Sequence, residues 1–223
     1  VSHLFAFEYR PPWLLARFRS PQRIVSWSLN RPGIVVSDTV AWLQVKNADL
    51  PIGLDPKNFL ESRLGDEGLG DAVALMTARD IRAYEVASAG EGDRAVETMV
   101  TLGLGNAVAL DAAGRPHAVA REAEPVGTIN ALVACSQPLG DGALLEAISV
   151  ATVARTAALL TDGGRAIGTG TDCIAIACPV AEKREIFAGL HTEIGTNIAS
   201  AVFRATRGGR RAWEREQAVA PPP

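Results

Sequence analysis

Histidine, cysteine and aromatic side chains are scarce in this 223-residue sequence, which has three histidines, three cysteines and 5% Phe, Trp and Tyr together. The cysteines, Cys135, Cys173 and Cys178, are odd in number and form no Cys-x-x-Cys pair. That spacing supports neither a disulfide framework nor a thiolate zinc site, and free, buried thiols of a cytoplasmic protein are expected. His3, His117 and His191 lie far apart, which argues against a histidine-rich metal centre, although Asp172 with His191 would supply part of one. No metal or cofactor requirement is therefore read from the chain. Neither a Gly-x-Ser-x-Gly elbow nor a His-Glu-x-x-His pair occurs, so the serine-hydrolase and zinc-protease signatures are missing.

Positive charge is also in deficit. The 22 Lys and Arg against 25 Asp and Glu leave a formal charge of −3, which argues against attachment to nucleic acid or an anionic membrane by bulk charge. No apolar stretch approaches the roughly 20 uncharged residues of a membrane span. The N-terminal segment carries Glu8 and Arg10 and has no apolar signal core. With few aromatics but 48% hydrophobic residues, the core must be built from Ala, Val, Ile and Leu.

At roughly 150 residues per domain, the chain is one large domain or two small ones. Strand-like runs rich in Val and Ile occur at Ile24–Leu29, Ile34–Val45, Ala72–Met76, Ile81–Val86, Val96–Leu102, Ile129–Cys135 and Cys173–Cys178. Helical patterns cover Asp55–Leu64, which opens on Pro56, then Gly140–Leu160 and His191–Arg207. The glycine pair Gly208-Gly209 reads as a C-terminal stop. Strands come first and helices later, without the strict alternation of a doubly wound sheet. The expectation is a single α+β domain over 1–207, a mixed β-sheet with packed helices, two of them long and in the C-terminal half. A polar, proline-rich tail is expected over 208–223. The apolar segment Phe5 to Phe18 suggests a surface for a homodimer.

Glycine exceeds its usual share: 21 of 223 residues, about 9% against a norm near 7%. Gly103-Leu104-Gly105-Asn106 and Gly168-Thr169-Gly170-Thr171-Asp172 invite a nucleotide-loop reading, but both run into a strand. A phosphate cradle needs a helix there, because the helix N-terminus supplies the donors. The segments are either tight turns or the polar, backbone-lined wall of a pocket.

Two polar residues fall on apolar helix faces. In the long helix, Glu146 and Arg155 are nine positions apart, so at about 100° per residue they point to opposite sides. Arg155 shares its side with Ile148, Ala151 and Thr152, needs an anionic or amide partner, and is either a salt bridge or a ligand contact. Glu146 is then the solvated one. His191 opens a helix whose stripe is Ile194, Ile198 and Val202, and is expected to face the core as a neutral ring able to accept a proton, with Gly195 leaving open space beside it. The alternative is a satisfied core histidine.

Taken in order, several segments resemble the adenosylcobinamide amidohydrolase family. They are Leu75-Met76-Thr77-Ala78-Arg79-Asp80, Gly103-Leu104-Gly105-Asn106-Ala107, Gly127-Thr128-Ile129-Asn130, and Pro138-Leu139 before the long helix. Ala151-Thr152-Val153-Ala154-Arg155-Thr156 follows within that helix. Gly168-Thr169-Gly170-Thr171-Asp172 and Ala188-Gly189-Leu190-His191-Thr192-Glu193-Ile194-Gly195 complete the set, which covers roughly Ile24 to Arg207. No single piece is specific; the ordered set is. The chain departs from the family pattern at Val153, where a Glu is usual, and at the early turn Asn30-Arg31-Pro32-Gly33.

The resemblance implies hydrolysis of the amide joining the aminopropanol arm to the corrin ring of adenosylcobinamide, or of its phosphate. The product would be adenosylcobyric acid, for corrinoid salvage into cobalamin synthesis. The expected partner is thus the cobalt-containing corrinoid substrate. His191 and Asp172 are the expected catalytic pair, with water as nucleophile. Asn106, Thr128, Asn130, Arg155, Thr169, Gly170, Thr171, Thr192, Thr77 and Arg79 are the expected substrate contacts. The asparagines and the Gly168–Thr171 backbone would donate to the oxyanion, and Arg155 would hold an amide, phosphate or nascent carboxylate. Covalent catalysis by Cys173, a non-catalytic corrinoid-binding protein and an amidohydrolase for a different cofactor precursor are the alternatives.

Overall fold

A computed structural model describes residues 3–119 and 127–219. The chain opens with strands β1 (Ala6–Arg10), β2 (Trp13–Ser26) and β3 (Gly33–Gln44). Helix α1 (Pro56–Asp66) leads to β4 (Val73–Thr77), β5 (Tyr84–Ala89), β6 (Val96–Leu102), β7 (Ala107–Leu110) and β8 (Pro116–Ala118). Then follow β9 (Ile129–Cys135), α2 (Asp141–Leu160), β10 (Gly168–Thr169), β11 (Cys173–Pro179) and α3 (Glu193–Val219).

Eight strands form one sheet in the order β4-β3-β2-β11-β9-β6-β5, with β1 pairing alongside β2. The β3–β4 and β9–β11 pairs are parallel and the others antiparallel, so the sheet is mixed. Strands β7, β8 and β10 make a separate small sheet. The architecture is the expected single α+β domain with two long helices in its C-terminal half.

Central strands β9 and β11 are buried on both faces, which is why they read as nearly unbroken Ala, Val, Ile and Cys. Successive side chains alternate between two cores. Val133, Ile174 and Ile176 meet Leu144, Ala147 and Ala151 of α2 and Ile198 and Val202 of α3. Leu132, Ala134 and Ala175 point the other way, toward Phe5, Phe18, Trp42 and Leu75. A third cluster seats Leu60 and Leu64 of α1 on Trp13, Leu15 and Leu43. Helix α2 is long and apolar enough to cross a membrane, but Leu144, Ala147, Val150, Ala154 and Leu159 are buried within the domain, as in a core helix.

The sheet curls. Strands β4 and β9 are separated by three others, yet they touch, and Asn130 Nδ2 donates to the Met76 carbonyl at 2.8 Å. This closure joins the C-terminal end of β4 to the N-terminal end of β9.

One expectation is corrected. The residues from 208 onward do not begin a tail, because α3 continues through Gly208-Gly209 to Val219. The glycines serve close approach rather than termination: a Cβ on Gly208 would lie 3.0 Å from Glu85 Oε2, and one on Gly209 3.2 Å from Leu102 Cβ. Beyond them, Arg210 is buried and donates to the Leu159 carbonyl at 3.0 Å. Residues 220–223 lie outside the described residues. In the N-terminal apolar segment, Phe5, Trp13, Leu14, Leu15 and Phe18 are buried in the chain's own cores, while Phe7 and Tyr9 are exposed.

Candidate active site

Where the curled sheet closes, the ends of β4, β9 and β11 surround a cavity of about 710 Å³. That volume falls in the range of small-molecule sites, roughly 300–1,000 Å³. Leu29, Val45, Leu60 and Leu75 give it hydrocarbon walls, and Thr77, Asn106, Thr128, Asn130, Thr171 and Asp172 bring polar groups to it. Segments far apart in sequence thus converge at one place.

Asp172 organises the floor. Its Oδ2 accepts from Arg155 Nη1 and from the Thr169 backbone N–H at 2.9 Å. Its Oδ1 accepts from the Ile129 N–H at 3.0 Å and from the Thr169 hydroxyl. Both charged side chains are almost fully buried, at 11% exposure for Arg155 and 9% for Asp172. Such a pair leaves an uncompensated charge if either member is removed. Gly168 makes room for it, since a Cβ there would lie 2.5 Å from Asp172 Oδ2 and 2.6 Å from Arg155 Nη1. Of the two readings open for Arg155, the structure gives the salt bridge. Arg155 and Thr169 act on Asp172 and do not themselves line the cavity.

The remaining polar wall is held by hydroxyl and main-chain contacts. The Thr128 hydroxyl donates to the Thr171 carbonyl at 2.9 Å, and the Thr171 hydroxyl to Thr128 Oγ1 at 3.1 Å. Gly127 packs backbone to backbone on Gly103: a Cβ on Gly127 would lie 2.5 Å from the Gly103 carbonyl. That glycine pair therefore lets two strand ends meet backbone to backbone, and Gly127 also borders the cavity. Gly170, in contrast, borders the cavity with open space where a Cβ would be. Thr77 is buried and its Oγ1 accepts from the Arg79 N–H at 3.0 Å.

Lys46, Asp172 and Cys173 are the titratable side chains lining the cavity. Burial pushes the Cys173 thiol up to about 12, so it stays protonated at neutral pH and is a poor nucleophile. Lys46 is an exposed residue of the lining, and its backbone N–H donates to Asp49 Oδ2 at 2.7 Å. No group of three or more His, Cys, Asp or Glu that could hold a metal gathers among the described residues.

Trp27 is a lining residue that composition and spacing do not single out. Its ring is 45% exposed at the cavity, and its Nε1 donates to the Asp172 carbonyl at 2.7 Å. Nothing in the local sequence signals this, because the partner lies 145 positions away.

The catalytic pair expected from the sequence does not form. Asp172 pairs with Arg155 of α2, whereas the Ala188 N–H just before His191 binds Glu146, nine positions earlier on that helix and so roughly 13 Å away at about 1.5 Å per residue. His191 lies outside the cavity lining, is exposed, and sits edge-on to Phe187 with ring centroids 5.8 Å apart. The helical phase that aims it at the core does not apply, because α3 begins only at Glu193. Thr192 is not a cavity contact but the cap of that helix, its Oγ1 accepting from the Gly195 N–H at 3.0 Å. Gly195 is crowded rather than open, since a Cβ there would lie 2.5 Å from the Ala188 carbonyl oxygen. Glu146 is not merely solvated: it accepts from the Ala188 N–H at 2.7 Å.

Arg79 also lies outside the cavity lining. It forms a bidentate pair with Glu216, its Nη2 2.7 Å from Oε1, and its guanidinium lies 5.0 Å from the Trp213 ring centroid. The two departures from the family pattern fall on structural positions. Val153 is 58% exposed on the outer side of α2. Asn30 braces β4, donating to the Ala72 carbonyl at 2.8 Å and accepting from the Ala74 N–H at 3.1 Å.

Comparison with known proteins gives a family model, described as adenosylcobinamide amidohydrolase, that matches residues 2–218. An adenosylcobinamide amidohydrolase of Halobacterium salinarum is 30% identical over 154 residues, covering 67% of this chain and 64% of that protein. One from Methanosarcina mazei is 27% identical over 164 residues, covering 69% of this chain and 74% of that protein. The chain thus matches just under two thirds of the Halobacterium protein's length. Among solved structures, a Burkholderia beta-aminopeptidase superposes with a TM-score of 0.47 at 12% identity, covering 93% of this chain and 82% of that one.

Proposed function

The chain belongs to the adenosylcobinamide amidohydrolase family, and on that premise we propose that it cleaves the amide joining the aminopropanol arm to the corrin ring of adenosylcobinamide. The products would be adenosylcobyric acid and aminopropanol, or aminopropanol phosphate from the phosphorylated substrate. The observation that carries this reading is convergence: Thr77, Asn106, Thr128, Asn130, Gly170 and Asp172, drawn from four of the segments behind the resemblance, border one cavity.

Amide hydrolysis needs a nucleophile, donors for the developing oxyanion and a proton for the leaving amine. Water is the proposed nucleophile, since the cavity's one cysteine is held protonated. Asp172 is saturated with hydrogen bonds and paired with Arg155, so its proposed role is to position the Thr169–Thr171 segment rather than to take a proton. Arg155 is committed to that carboxylate, which leaves Lys46 as the cation proposed to meet the nascent carboxylate at the mouth. Trp27 offers a flat apolar surface, held by its indole hydrogen bond, for the face of a macrocycle.

The test is to incubate the protein with adenosylcobinamide and follow the corrinoid by mass spectrometry. Adenosylcobyric acid with free aminopropanol is the expected result. A spectral change on mixing without release of aminopropanol would identify a corrinoid-binding protein instead, and no change with this substrate would point to a different amide.

A further inference from the structure

Depth divides the lining of the cavity. Leu60, Leu75, Thr77, Thr128 and Asn130 are buried, whereas Trp27, Leu29, Lys46, Pro56 and Thr171 are exposed and mark its open side. A volume of about 710 Å³ suits a drug-sized molecule. A corrin ring with its amide arms is larger than that. The segment between β3 and α1 borders the open side. It lines the cavity at Leu50 and again at Pro56, and turns tightly between them, the Leu54 N–H donating to the Pro51 carbonyl at 3.1 Å. Turn chemistry accounts for Gly53, whose φ is +94°, and for Asp55, whose carboxylate accepts from the Lys57 N–H and caps α1. It does not account for Ile52, which is fully exposed, or for Leu54, which is 40% exposed. Each stands two residues from a lining residue, within roughly 8 Å at about 3.8 Å per residue.

Trp27 and Leu29 after β2, and Ile52 and Leu54 before α1, thus expose large apolar side chains around the open side of the cavity. Single exposed apolar residues are ordinary, but four of them at the margin of a ligand-sized chamber mark a binding surface. A flat ring with hydrocarbon faces would cover them and release the water they hold, whereas a narrow arm would leave them wet. We propose that the corrin ring stays outside the chamber, one face against Trp27, Leu29, Ile52 and Leu54, and that only the arm carrying the scissile amide enters. The arm then reaches the buried polar groups of Thr77, Thr128 and Asn130. Affinity lies mainly in the ring, and the segment between β3 and α1 selects for it. This inference rests on the reading that the cavity takes the corrinoid.

Equilibrium dialysis, read by corrin absorbance, tests this with two probes, cobinamide and cobyric acid, which share the ring and differ in the arm. Wild-type protein is expected to bind both, cobyric acid within about tenfold of cobinamide. The double variant Ile52→Ser/Leu54→Ser changes exposed positions, where substitutions usually leave the fold intact, and is expected to lose about tenfold for each probe. Hydrogen exchange across residues 50–57 is expected to slow when cobinamide binds. Unchanged exchange there, or full affinity in the double variant, overturns the inference. Wild-type protein that binds cobinamide but not cobyric acid also overturns it, because the affinity then lies in the arm. A wild-type dimer in sedimentation that the double variant dissociates would assign the segment to a second copy of the chain and overturn it as well. Wild-type protein that binds neither probe and releases no aminopropanol overturns the functional reading and the inference with it. Release of aminopropanol by the wild type, with full affinity kept in the double variant, overturns the inference alone.

Discussion

At the scale of single residues, Asp172 and His191 can be told apart by a sharp experiment. Removing the charge of Asp172 leaves Arg155 buried without a counter-charge, a change that costs about 3–5 kcal/mol in a fully buried pair. Asp172→Asn is therefore expected to lower the unfolding midpoint and to reduce turnover of adenosylcobinamide by more than about 100-fold. His191→Ala, exposed and outside the cavity lining, is expected to stay within about threefold of wild-type turnover, as surface changes usually do. The reverse ranking would move the catalytic centre to the start of α3. Cys173→Ser is expected to retain activity. Iodoacetamide should label Cys173 slowly at neutral pH, because burial holds the thiol protonated to about 12. Val153→Glu, restoring the residue usual in the family, is expected to leave the reaction unchanged, since that side chain is 58% exposed on α2.

Much of this site is legible residue by residue. Asp172, Asn106, Thr128, Asn130, Gly170, Thr171 and Thr77 stand out in the sequence as short polar groups beside glycine or strand ends, and all border the cavity. The apolar face around Arg155 calls for a buried partner, and Asp172 is that partner. His191 departs from its expected place because helical phase does not reach the two residues before the helix start. Trp27 is invisible to local patterns because its role depends on a carbonyl 145 positions away.

Secondary elements can be read from sequence where periodicity decides and poorly where contacts do. The strands β3, β4, β6, β9 and β11 follow the Val- and Ile-rich runs closely. The end of α3 does not follow its glycine pair, because those glycines lie against Glu85 and Leu102. The turns beyond that pair brace the site, since Trp213 and Glu216 clasp Arg79 on the loop that also carries Thr77 and Ala78 to the cavity. The Arg79 hydrogen bonds hold the Glu216 carboxyl below the usual glutamate range. A carboxyl depressed in the folded state stabilises above its unfolded value, and that contribution disappears as pH falls through the folded value. Acid is therefore expected to release the end of α3 before the core opens. Hydrogen exchange across Trp213–Gln217, measured as pH is lowered through the carboxylate range, checks this. Glu216→Gln should exchange rapidly already at neutral pH and lower kcat/KM several-fold, while Glu216→Asp recovers part of both.

The whole molecule is one α+β domain whose two long helices cover one side of the sheet while the other side curls into a second core. Class and element order follow from composition and hydrophobic pattern. The curl does not, because it is set by which strands pair across long stretches of chain. The order β4-β3-β2-β11-β9 places the last strand of the sequence between the second and the ninth. The cavity walls come from both sides of that insertion. Single-domain behaviour is expected in denaturant, with one unfolding transition seen alike by far-UV circular dichroism and by tryptophan fluorescence.

The Asn130–Met76 hydrogen bond joins positions 54 residues apart, and it forms at the seam where β4 meets β9. Such a seam cannot zip up locally. It must wait until β11 has been threaded between β2 and β9, and the entropy lost in closing long loops slows that step. The cavity is therefore a late product of folding. After dilution from denaturant, helical signal is expected to return first and corrinoid binding afterwards, with a lag that cobinamide in the refolding buffer shortens.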